Sequence, residues 1–141
     1  MKTTRILITA IIAALTLPAF AEEKKGPSHV QVEVKIPDTA EALWTEIDAK
    51  YKALAEIVAA KKGDAVVEAA ETVEALVNAV PARHADLAAD KKKRVEGQAK
   101  NVARVLDDLH DAAKDGHWDI AAKKLTQVEA ALKIIKAQVA K

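Results

Sequence analysis

The feature that most constrains this chain is an apolar seam that recurs four times at helical spacing. From Ala40 it runs through Trp44, Ile47, Tyr51, Leu54 and Val58 in alternating steps of four and three, the spacing that aligns side chains on one face of an α-helix. A second stretch offers Val66, Val73, Leu76, Val77 and Val80, and a third Val95, Ala99, Val102, Leu106, Leu109 and Ala113. The fourth and most regular carries Trp118, Ala121, Leu125, Val128, Leu132, Ile135 and Val139. Each such helix must hide its seam against another element, so the pattern predicts an all-α fold.

Composition agrees with that choice. Aromatic residues make up only 3% of the chain, whereas a sheet draws on aromatic and β-branched side chains. Punctuation falls between the seams, at Gly63, Pro81 and Gly116. Asp38, with Glu41 three residues on, reads as the capping box of the first helix. Gly63 is the expected left-handed residue that closes it, and Asp64 the cap of the second helix, which Pro81 ends. The third helix is expected to begin between Ala85 and Asp90. An early start is favoured, because the run Lys91-Lys92-Lys93-Arg94 opposes the positive end of a helix dipole. Gly97 is a weak point inside it, and Gly116 its close.

The stretch Ala59-Ala60-Lys61-Lys62-Gly63 is echoed by Ala112-Ala113-Lys114-Asp115-Gly116, 53 residues later. Both fall where a long helix meets a tight turn. The expected fold is therefore an antiparallel up-down-up-down four-helix bundle built from two αα-hairpins, joined through Pro81, Ala82, Arg83 and His84. Pairing of long hairpins between two chains is the competing arrangement.

Ahead of the helices lie two segments of different character. Residues 1–21 combine Lys2 and Arg5, an apolar run from Ile6 to Leu17, and Ala19-Phe20-Ala21. That is the form of a cleavable signal peptide, with an apolar run too short for a stable membrane span. Residues 22–37 read as an extended arm, with Val30, Val32, Val34 and Ile36 alternating up to Pro37. Residues 38–141 form the helical domain. The expected address is the periplasm, with secretion as the second choice.

Cleavage after Ala21 removes Lys2 and Arg5 and no acidic residue, so a formal charge of +1 becomes −1. That balance argues against nucleic-acid binding driven by phosphate neutralisation. With no cysteine, thiol nucleophiles, Cys-based metal sites and disulfide staples are excluded, and stability must come from packing. The nucleophile elbow, zinc-protease, P-loop and dinucleotide motifs are missing too. The acidic residues Glu68, Glu71 and Glu74, and Asp107, Asp108 and Asp111, read as solvated helix faces. No Glu precedes a His by three residues, as a di-iron bundle requires.

Four histidines remain. His110 and His117 flank the turn at Gly116, close to Asp111 and Asp115, and His29 on the arm is in reach of that end. Imidazole with carboxylate suits copper, zinc or nickel, which makes His110, His117 and His29 the candidate metal ligands. Their structural reading is a favourable imidazole at a helix C-terminus and a turn residue. His84 belongs to the opposite end. Trp44 and Trp118 read as core plugs, with a ligand platform as the alternative.

The stretch from Asp107 to Gly116, followed by Ala121, Ala122 and Val128, resembles the last hairpin of the cytochrome b562-like periplasmic proteins. The resemblance extends over Asp38 to Lys141 and implies a periplasmic bundle. Haem-binding members use a methionine in the first helix and a histidine late in the fourth. Here the single methionine is Met1, and the late position falls near Lys136. The scaffold carries over, and neither haem ligand does. The expectation is a non-enzymatic periplasmic protein with no catalytic residues and no organic cofactor, such as a stress accessory, acting on a protein partner or by self-association as a dimer. Divalent-metal binding through His110 and His117 is the alternative.

Overall fold

The computed structural model describes residues 33–140. The leader, the first part of the arm and His29 lie outside them. The described residues hold four long helices and a single helical turn, and no strand. In chain order these are α1 (Ala40–Ala59), α2 (Gly63–Asn78), α3 (Val80–Arg83), α4 (Ala89–Lys114) and α5 (Trp118–Val139). Among the described residues no helix is long and apolar enough to cross a membrane.

The seams form the core. Ile47, Leu54, Val73, Leu76, Leu109 and Ile135 are fully buried, and among the described residues no polar or charged one is buried with them. Full burial of such a side chain contributes about 1.5–3 kcal/mol. The third seam is buried along its whole length. In α1 the buried stripe includes Leu43, which the seam through Trp44 and Tyr51 leaves out. Both aromatics, like Trp118, are only half-buried at the edge of the core, so Trp44 and Trp118 are not the plugs expected of them. Val34 and Ile36, in residues 33–37 ahead of α1, also pack on the core.

Helix ends depart from expectation in instructive ways. Thr39, not Asp38, caps α1: its backbone is extended and its hydroxyl accepts from the Ala42 amide at 3.2 Å. Asp38 stands one residue too far from the first turn for that bond. Gly63 is not left-handed; Lys61 is, at φ 55°. The Lys61 amide bonds the Val58 carbonyl, and the Lys62 amide that of Ile57, which is a Schellman close with Lys61 at C′. The second hairpin uses the same motif with Gly116 at C′ (φ 78°) and amide bonds from Gly116 to Ala113 and from His117 to Ala112. The sequence echo therefore pairs the wrong residues, since Gly116 corresponds to Lys61.

Three further boundaries are corrected. Helix α2 begins at Gly63 after Lys62, with no side-chain cap, and Asp64 is a first-turn acid rather than the cap. It ends at Asn78, and Pro81 lies inside the turn α3. Helix α4 starts at Ala89, inside the expected window from Ala85 to Asp90 but at its late end rather than the favoured early one, with the lysine run in its opening turns. Lys91, Lys93 and Arg94 are exposed, where water screens the dipole penalty to a few tenths of a kcal/mol. Burial of Val95 outweighs that.

The helices share contacts unequally. Those between α4 and α5 are the most extensive, α1 packs on α2 and α2 on α4, and α1 touches α5 only lightly. Two polar clamps cross that light seam: the Tyr51 hydroxyl donates to the Leu125 carbonyl at 3.2 Å, and Lys136 Nζ reaches both Asp48 oxygens at 2.7 Å.

Candidate binding cleft

Where α1 begins and α5 ends, the light seam opens into a cleft of about 610 Å³. Its walls combine apolar surface from Ala40, Trp44 and Val139 with Arg83, His84 and Lys136, and Glu41 and Asp86 also border it. A concave surface, largely apolar with a few polar groups, is the usual form of a small-ligand site, and the volume falls in the ~300–1,000 Å³ range of such sites.

Trp44 is held from two sides. Its indole N–H donates to His84 Nε2 at 3.3 Å, and Lys136 Nζ stands 5.2 Å from the ring centroid. His84 is the C-cap of α3, so the link between hairpins reaches α1 through this bond. A second tie joins the same two segments: Arg83 Nε donates to the Pro37 carbonyl at 2.7 Å. The Arg83 ion pair with Asp38 is long, at 3.9 Å, and Asp38 faces water.

The sequence-derived candidates sit at the other end. His110 lies in the last turns of α4, its side chain 19% exposed, with Nδ1 3.5 Å from Asp111 Oδ1. His117 is exposed, and its backbone is what serves the turn: the amide closes α4, and the carbonyl accepts from Ile120 and Ala121. Among the described residues no three His, Asp or Glu side chains converge into a group able to hold a metal ion. His29 lies outside them. At the late α5 position, Lys136 holds Asp48 and lies over the Trp44 ring.

A smaller hollow of about 320 Å³ lies farther along the same seam, between Ala55 and Val58 of α1 and Trp118 and Leu125 of α5. Each tryptophan thus marks an opening between α1 and α5. Sequence reasoning singled out Trp44 and placed His84 away from His110, but did not join Trp44, Arg83, His84 and Lys136. Their separations, 40 residues for Trp44 and His84, leave no local motif to find. The sequence matches no family model and no curated protein, and the fold matches no solved structure.

Proposed function

We propose that the mature chain is a non-enzymatic periplasmic binding protein, an up-down-up-down four-helix bundle that works through the α1–α5 seam. Short Schellman turns between α1 and α2 and between α4 and α5 favour antiparallel neighbours. The form of residues 1–21 supports export. The observation that carries the binding reading is the cleft at Trp44, where the lightly packed α1–α5 pair leaves an indole, an imidazole and two cations around apolar surface.

A fragment screen by saturation-transfer NMR tests this, with hits located on proton–nitrogen correlation spectra of the mature protein. Fragments should cluster on the resonances of Trp44, His84 and Val139. Hits scattered over the surface, or confined to the His110–His117 end, would overturn the reading.

Self-association is a second reading with its own observation. Among the described residues, Ile120 and Ile134 of α5 are the exposed large hydrophobic residues, at 41% and 46%, and two heptads of helix place them on one edge. Sedimentation equilibrium separates the cases. A dimer lost in Ile120→Ser/Ile134→Ser supports this reading, and a monomer at the highest concentration attainable removes it.

A further inference from the structure

Resting on the reading of the cleft as the binding surface, we infer that it takes a small amphipathic carboxylate, a monoanion on an apolar body, with Arg83 as its anchor. The two cations of the cleft are in different conditions. Lys136 is spent, since both oxygens of Asp48 lie 2.7 Å from its Nζ and its charge also rests near the Trp44 ring. Arg83 is oriented but weakly neutralised. Its Nε is fixed on the Pro37 carbonyl, while its ion pair, at 3.9 Å, is with a carboxylate that faces water. An exposed pair of that length is worth little, so a ligand carboxylate can displace it. The planar guanidinium fork suits two carboxylate oxygens at once.

The rest of the lining sets the remaining terms. Trp44, Ala40 and Val139 offer apolar surface, and the His84 bond and Lys136 hold the indole in place. That is a preorganised wall for a ring or an alkyl chain. Glu41 and Asp86 border the same cleft. The Glu41 charge opposes a dianion more than a monoanion, which selects carboxylate over phosphate.

The test follows the indole N–H resonance of Trp44, assigned with a Trp118→Phe variant, during titration of the mature protein. The probes are 2-naphthoate, decanoate, naphthyl phosphate and the neutral 2-naphthylmethanol. Naphthoate or decanoate should shift that resonance with Kd of about 1 mM or tighter, and whichever binds better tells an aromatic acid from an aliphatic one. Naphthylmethanol should bind at least about tenfold more weakly, and Arg83→Gln should bring the carboxylate down to the alcohol's level. If Arg83→Gln does not fold by circular dichroism, the comparison of acid with alcohol on the unaltered protein decides alone. Equal binding of acid and alcohol, or a preference for the phosphate, overturns the carboxylate assignment and leaves the cleft standing. No shift with any probe also overturns the assignment; the fragment screen then decides separately whether the cleft reading falls with it.

Discussion

The two hairpin turns make an internal experiment in backbone strain. Both close with a Schellman motif, yet one has Lys61 and the other Gly116 at the left-handed position, with φ of 55° and 78°. A side chain in that region costs about 1–2 kcal/mol through the clash of Cβ with the backbone. Replacing Lys61 by glycine removes the strain, but the looser unfolded chain takes back about 0.4–1 kcal/mol. Lys61 is exposed, so little packing is lost. The expected net gain for Lys61→Gly is about 0.5–1 kcal/mol, or about 3–6 °C in Tm for a domain near 100 residues. The arithmetic reverses for Gly116→Ala. Its Cβ would meet nothing within 4 Å, so the whole loss, about 0.5–1 kcal/mol, comes from the backbone. Thermal and urea unfolding followed by far-UV circular dichroism measure both, and the double variant should return close to the parent value. A Lys61→Gly variant that melts lower, or a neutral Gly116→Ala, would show that turn strain does not set these energies.

Other consequences are simpler to check. Gly97 is exposed in the first half of α4 with open space where a Cβ would stand, so Gly97→Ala should raise stability by about 0.5–1 kcal/mol in urea unfolding. Leu43→Ala should cost about 2–5 kcal/mol because Leu43 is fully buried; Ile134→Ala, at the surface, should stay within about 0.5 kcal/mol. Tyr51 is the single tyrosine, and burial, with a smaller effect from the Glu129 charge, raises its pKa above the usual value. The folded value exceeds the unfolded one, so the neutral phenol stabilises the fold fully below about pH 10, and that contribution is lost as pH climbs through the folded value. Phenolate absorbance should therefore titrate later in the folded protein than in urea, and Tyr51→Phe should lack this part of the alkaline loss of stability.

Much of the fold was legible because burial follows period. Every residue of the third seam, from Val95 to Ala113, is buried, since a strict three-and-four repeat leaves one face to choose. The first seam misled because aromatic size drew it through Trp44 and Tyr51, while Leu43, one position before Trp44, is the buried residue. A core-facing stripe is wider than a two-position seam, and its large edge residues end half in water. Gly63 misled in another way. It begins α2 beside Trp118, where an alanine Cβ would meet ordinary contacts at 3.9 Å, so nothing at that place demands glycine.

The cleft follows from a mismatch of lengths that was countable in the sequence but not convertible into a site. Helix α2 has 16 residues and its neighbour α4 has 26, a difference of about 15 Å at 1.5 Å per residue. Where α1 closes and α5 begins, Lys61 is close enough to Trp118 to line one hollow with it. The shortfall must therefore appear at the far end, and the segment between Asn78 and Ala89 has to fill it. Val80 and Pro81 bury themselves there, which turns the next residues, Arg83 and His84, toward the start of α1, where they bond Pro37 and Trp44. The end of α5 supplies Lys136 and Val139 as the remaining wall. Helical periodicity fixes which faces pack, but this constellation depends on where unequal helices stop, and the late start of α4 at Ala89 is the boundary that dipole reasoning placed too early. A polar set gathered by such a mismatch is spread along the chain from residue 41 to residue 136, and only the assembled fold brings it to one place.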